Sequence, residues 1–288
     1  MLHAMGPITA ASCGIALVIL AGKIDISIGS IAFLSASIGG LLMESGSVHP
    51  AIGFIVILGS AALLGAVNGF VIAYLGVNAL ITTLGTMIAF RGLGLVLTEA
   101  RVIPLPEAAR SLGNLAVGPV FVDTIVIGLV ICLVHFLYRH TVFGRRLMAV
   151  GNNEETAVRI GIDARMVTFR VFVLSGLLAG VAASSSFIQV GSISGFLGRG
   201  LEFMAIAAAV VGGISLAGGR GTILPGVALG ALSFQIIANG LNQVGANPYV
   251  YQLVTGVVIF VAMYMDALRS TQKSKIRVLR SIATTKNK

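Results

Sequence analysis

Apolar residues run through this chain in long blocks rather than in alternation. Nine blocks stand out, at roughly 6–22, 26–45, 51–75, 77–98, 119–138, 166–190, 203–219, 222–240 and 249–268. Each approaches the ~20 residues a helix needs to cross the hydrocarbon core of a bilayer. A helix satisfies its own backbone hydrogen bonds where lipid cannot, so each block predicts a membrane helix. The expectation is an all-α, polytopic helical membrane protein of about nine membrane segments, some short or broken. The blocks at 203–219 and 222–240 are short and glycine-broken, which predicts discontinuous or re-entrant elements. The first block does not read as a signal peptide, since no Lys or Arg precedes it and no clear small-residue cleavage site follows, so a membrane helix is expected there.

The longest polar interval between blocks, 139–166, carries Arg139, Arg145, Arg146, Arg159 and Arg165. Its central line AVGNNEETAVRIGID reads as a short capped helix. Asn152 is the expected N-cap, with Glu155 completing a capping box. Glu154 and Glu155 suit the positive end of the helix dipole, and Gly161 supplies the stop. Asp163 is then the expected cap of whatever begins near Met166. Two readings of this loop stand side by side, a docking element for a partner and a solvated connector. The division expected is one membrane domain, 1–268, containing the loop 139–166, and a basic tail, 269–288.

Composition places the chain firmly. Hydrophobic residues make up 57%, charged residues 10%, and mean hydropathy is +1.01, far from the roughly 25% charge of a soluble domain. The net charge of +9 raises nucleic acid as a partner, but Lys and Arg sit in loops and the tail rather than in a stripe interleaved with aromatics. Membrane topology is the simpler cause. With the tail inside, counting back through the spans puts 139–165, Arg220 and Lys23 inside as well. The same count puts the N-terminus outside and leads to the expectation of one further span ahead of residue 1.

Candidate chemistry is sparse. Cys13 and Cys132 fall in apolar blocks, and His3, His49, His135 and His140 do not cluster, so neither a disulfide framework nor a metal site is expected. There is no Walker A pattern and no HExxH, so no cofactor is expected in this chain. Polar groups do occur inside the blocks. Lys23 and Asp25 precede Ser27, Gly29 and Ser30; a near-membrane charge implies pairing, water or the interface, and Asp25 also suits capping of the next helix. Asn68, Asn78, Thr82, Thr83 and Thr86 mark otherwise apolar helices, with Thr82 and Thr86 on one face. They either hold helices together or line a path. Gly212, Gly213, Gly218, Gly219 and Gly221 surround Arg220, a sign of close backbone approach or broken helices. Mid-span carboxylates, expected of an ion-coupled carrier, are missing, whereas a capped loop helix is what a separate motor needs. Coupling to a partner ATPase is the favoured reading, and an ion-coupled secondary transporter of a small polar solute is the alternative.

Four lines carry a resemblance. IDISIGS at Ile24 to Ser30, LITTLGTM around Thr83 to Thr86, TVFGRRLMAVGNNEETAVRIG at Thr141 to Gly161, and VGGISLAGGRG at Val211 to Gly221 run in order over most of the chain. Together they resemble the permease subunit of the ribose-type ABC importers, which also covers galactose and autoinducer-2 uptake. Asp25, Ser27, Gly29, Ser30, Gly218, Gly219, Arg220 and Gly221 are the family-motif residues, and Lys23 stands where the motif usually has a glycine. The resemblance implies two ABC ATPase subunits or one fused tandem ATPase, which use the ATP. It also implies a second permease copy or a paralogue, and an extracytoplasmic solute-binding protein. The setting it implies is the cell (inner) membrane, with the C-terminus and the loop 139–166 cytoplasmic. Glu155, Ala157 and Gly161 are similar to the family's ATPase-coupling motif, with Arg159 beside them. For the translocation path the candidates are Asn68, Asn78, Thr82, Thr86, Gln189, Asn239 and Asn242, whose hydroxyls and amides suit an uncharged sugar or polyol.

Overall fold

The computed structural model describes residues 2–247, 250, 253–261, 263 and 264. Continuous apolar runs with few breakers become helices in chain order: α1 Gly6–Leu20, α2 Ile28–Glu44, α3 Pro50–Ala73, α4 Ala79–Thr98, α5 Glu107–Asn114, α6 Val122–His140, α7 Val142–Asn152, α8 Glu154–Arg159, α9 Ala164–Val190, α10 Leu201–Val211 and α11 Ala228–Gln243. Pro50 begins α3 at a position where its missing N–H costs nothing. Asn78 caps α4 by accepting from the N–H groups of Leu80 and Ile81. The last block is helical at 253–261, and the rest of it, with the tail 269–288, lies outside the described residues.

Five described helices are long and apolar enough to span: α3, α4, α6, α9, and α11 together with the turn Ile223–Val227 before it. α1, α2 and α10 are shorter, 15, 17 and 11 residues. The helices α1 and α2 fill most of the blocks at 6–22 and 26–45, whereas α10 occupies only part of the block at 203–219, the one expected to be broken. Extended backbone at 23–27 leads into α2. Pro225 delays the last of these helices, with non-helical backbone at Leu224, so that α11 starts at Ala228.

α1 and α2 are almost wholly buried, and α9 packs against them and against α3. A helix apolar on every side belongs in the interior. α3, α4 and α6 expose Leu63, Ile81, Ile88, Val96, Leu129 and Leu133, the surface expected toward lipid.

The segment after α9 descends into the bundle. Ile193 pairs with Ile103 in a two-residue antiparallel bridge and lies against Gly40, near the end of α2 that carries Glu44. Five residues later Gly198 lies against Gly29, in the first turn of α2. At 1.5 Å per helical residue, Gly40 and Gly29 differ in depth by about 16 Å. The backbones approach so closely that a Cβ on Gly29 would sit 2.1 Å from the Gly198 oxygen. Arg91 of α4 holds the loop there, donating from Nη1 to the Leu197 carbonyl at 2.6 Å. α10 then completes the crossing. Of the two forms expected at 203–219, discontinuous or re-entrant, this loop and half-length helix make the discontinuous one, with the loop starting earlier than the apolar block.

At the end of α2, Arg101 grips Glu44 through two hydrogen bonds of 2.7 Å, and this pairing raises its guanidinium further above the usual value. The loop beyond holds α5 and a second two-residue bridge, Ala116–Val117 with Val120–Phe121.

Candidate functional site

Three places hold most of the residues marked by the sequence. The first is a polar node inside the bundle. Asp25 Oδ1 accepts from the Ser27 N–H at 2.9 Å and the Ser27 hydroxyl at 2.6 Å, and Oδ2 accepts from the Ser175 hydroxyl at 3.1 Å. Asn68 Nδ2 donates to Ser27 Oγ at 2.8 Å, and the Ser30 hydroxyl donates to the Ser27 carbonyl. Asp25 is 1% exposed, and Ser27, Ser30, Asn68 and Ser175 are completely buried. A buried carboxylate costs several kcal/mol unless donors surround it, and here three do. The node ties the start of α2 to α3 and α9. The Asn68 carbonyl oxygen is buried without a hydrogen-bond partner among the described residues.

The second place is one end of the bundle, where α7 and α8 lie across the ends of α1 and α9. The N-cap of α8 is Asn153, whose Oδ1 accepts from the Thr156 N–H at 2.7 Å. The expected cap, Asn152, instead closes α7 and donates to the Met148 and Gly219 carbonyls. The shift by one residue has a plain cause: α7 is an unexpected helix that consumes 142–152, leaving Asn153 as the first extended residue, at φ −164°. Gly161 follows at φ +83° and ends the turn, and Asp163 caps α9 by accepting from the Met166 N–H.

α8 presents a defined outer face. Ala157 is 2% exposed and packs inward, whereas Glu155 and Arg159 point outward and pair with each other at 2.6 Å. The base of α8 is held to the interior. Lys23 donates to Glu154 at 2.9 Å, and the Gly219 N–H donates to the Leu20 carbonyl at 3.0 Å. A Cβ on Gly151 would lie 1.7 Å from that same Leu20 oxygen, so only glycine permits the approach. Two motif lines far apart in sequence, at Lys23 and at Gly218–Arg220, therefore meet under the loop 139–166.

The third place lies at the opposite end. His3 Nδ1 and Asp123 Oδ1 are 2.6 Å apart, and the Gln189 amide donates to Asp123 Oδ2, the Ser185 hydroxyl and the His3 carbonyl. This cluster joins the start of α1 to α6 and α9.

The seven path candidates are thus distributed. Asn68 belongs to the interior node and Gln189 to the His3 cluster. Asn78 caps α4, and the Thr82 and Thr86 hydroxyls donate to carbonyls one turn back in the same helix. Asn239 accepts from Gln235 at 3.2 Å, and Asn242 is exposed at the end of α11. The structure also brings forward Ser175, Arg91, Arg199 and Glu202. Arg91, a lone charge in an apolar block, was the available signal; a single serine in a span shows no partner in sequence.

Comparison with known proteins adds the wider context. A family model described as "Branched-chain amino acid transport system / permease component" matches residues 1–263. The Escherichia coli K12 protein called probable ABC transporter permease protein YphD is 38% identical over 276 residues, covering 93% of this chain and 82% of that protein. The ribose import permease protein RbsC of Bacillus subtilis is 36% identical over 264 residues, covering 89% and 80%. The autoinducer 2 import system permease protein LsrC of Photorhabdus luminescens is 34% identical over 259 residues, covering 88% and 76%. No solved structure matches the chain.

Proposed function

The chain belongs to the permease-component family whose model it matches along almost its whole length, and on that premise we propose that it imports a sugar or sugar-like solute by alternating access, driven by ATP hydrolysis in a partner. It is a multi-pass membrane protein and a transport subunit. Relatives named for ribose and autoinducer 2 support the solute class, and the same kinship favours ATP drive over ion coupling.

The observation that carries the coupling role is α8. It is a capped helix with Ala157 turned inward and Glu155 and Arg159 turned out, set on a base of Lys23, Gly151 and Gly219. A motor that displaces α8 pushes on Leu20 and Lys23, and so on the chain entering α2 and its buried Asp25. In this reading the end bearing α7 and α8 is cytoplasmic, together with the tail. The partners are two ATPase subunits or a fused tandem one, a second permease copy or paralogue, and an extracytoplasmic binding protein. ATP is used by the partner, and this chain needs no cofactor of its own.

A cysteine in place of Arg159, in a chain with Cys13 and Cys132 replaced, tests the assignment. Arg159 suits the purpose because its side chain is 74% exposed, where Ala157 is buried. The expected outcome is a specific cross-link to a co-expressed sugar-importer ATPase in membranes. A full-length, inserted chain that yields no adduct with any such ATPase defeats the coupling role of α8.

A further inference from the structure

The apolar bundle opens at one more place, beside the descending loop 191–200. Ser186 of α9, Arg199 of the loop and Gln235 of α11 converge on a cavity of about 230 Å³. Ile8, Met204 and Phe234 form an apolar wall. The cavity reaches Ala4 at the end that carries the His3 cluster and extends down to Gly198 at the depth of Gly29.

Arg199 is the unusual member. It is exposed and lies over the Phe196 ring at 4.6 Å. Among the described residues no acceptor reaches its guanidinium, whereas Arg91 is bonded to the Leu197 carbonyl and neighbours the buried Glu202. An arginine at membrane depth without a carboxylate marks a water-filled or ligand-filled space.

The lining selects a ligand chemistry. Arg199 only donates, Gln235 gives an N–H to Asn239 and keeps its carbonyl as an acceptor, and the Ser186 hydroxyl can do either. Hydroxyl groups match all three, and the apolar wall suits the C–H face of a ring. Among the described residues no carboxylate lines the cavity, so these residues offer a cation nothing there. The volume falls below the ~300–1,000 Å³ of drug-sized pockets, which leaves room for one small ring.

We propose that this cavity is a solute-binding site inside the permease, taking a single uncharged monosaccharide-like polyol, with Arg199 as its main donor and Gln235 as its acceptor. The inference rests on the import reading above and names the residues that meet the solute between the binding protein and the far side.

The test uses the full chain, with Cys13 and Cys132 replaced and Ser186→Cys or Met204→Cys introduced, in liposomes of neutral lipid. Reaction with a water-soluble thiol reagent is followed while D-ribose or D-galactose is added. The expected result is a labelling rate that falls by about tenfold when one of these sugars is tenfold above its dissociation constant, by simple mass action. Arginine and choline should give no protection, and Arg199→Gln or Gln235→Leu should abolish the protection by sugar without changing the rate in its absence. Failure of both cysteines to react overturns the proposal, as does sugar-independent labelling at both. Protection that survives both lining substitutions also overturns it, and so does protection by an anionic lipid headgroup alone. ATP-dependent uptake by the complete transporter is measured in parallel. Uptake without protection overturns the site and leaves the import reading standing, whereas protection without ATP-dependent uptake overturns the import reading and the role of the site in it.

Discussion

Asp25 shows how one acidic side chain is kept inside a lipid-facing protein. Its two oxygens take three hydrogen bonds from Ser27 and Ser175, which offsets the cost of burial and fixes where α2 begins. Alanine at this position leaves an N–H and two hydroxyls without their acceptor, a loss of about 1–3 kcal/mol for each group left unsatisfied. Asp25→Ala should therefore lower the unfolding temperature in detergent clearly. Asp25→Asn keeps an acceptor for Ser27 and should lower it less. Equal loss for the two variants would mean that the carboxylate charge, rather than its hydrogen bonds, matters most. The sequence offered Asp25 as the cap of the next helix; the N-cap of α2 is instead Ser27, and Asp25, two residues earlier, accepts from the Ser27 N–H.

At the scale of elements, two kinds of glycine can be separated. Gly151 in α7 has the Leu20 oxygen and the Gly219 nitrogen within 2.7 Å of any added Cβ, so the interior end of the loop 139–166 depends on its absence. Gly128 in α6 has nothing within 4 Å. Gly151→Ala should force α7 off the end of α1 and cost several kcal/mol or prevent assembly, as overpacking against rigid backbone does. Gly128→Ala should be neutral or stabilising by up to ~1 kcal/mol, through helix propensity. Thermal stability read by size-exclusion chromatography distinguishes the two; a destabilised Gly128→Ala would place a partner surface on that face of α6. In the sequence Gly128 lies inside an apolar block and Gly151 within the polar interval 139–166. Their difference lies in which backbone runs alongside, and for Gly151 that is set by Leu20 and Gly219, both far away in sequence.

At the scale of the molecule, the buried α1, α2 and α9 form an interior to which the loop 191–200 and α10 belong, and α3, α4 and α6 form its apolar outside. The end with α7 and α8 is the one we propose to receive force from the ATPase, and the cluster of His3, Asp123 and Gln189 lies at the opposite end. Uptake by the complete assembly in right-side-out or reconstituted vesicles, with ATP inside and the binding protein outside, should require hydrolysable ATP and persist when an uncoupler collapses the proton gradient. Uptake that stops with the uncoupler and proceeds without any ATPase would reinstate the ion-coupled alternative.

Membrane class, the rough limits of the long apolar helices, the capped loop helix and the kinship to importer permeases were legible in the sequence, because they depend on local composition, spacing and motif order; the loop helices α5 and α7 were not. The cap of α8 was off by one because a neighbouring helix claimed Asn152, a competition that local pattern does not resolve. Which polar groups meet was decided by tertiary structure alone. Asn68 joins Ser27, Gln189 joins Asp123, Lys23 joins Glu154, and Arg199, Ser186 and Gln235 share a cavity, across separations of 13 to 131 residues. In an apolar chain each such residue looks the same from its flanks. Its role is fixed by what the packed backbones leave beside it: a donor, a carbonyl or an open space.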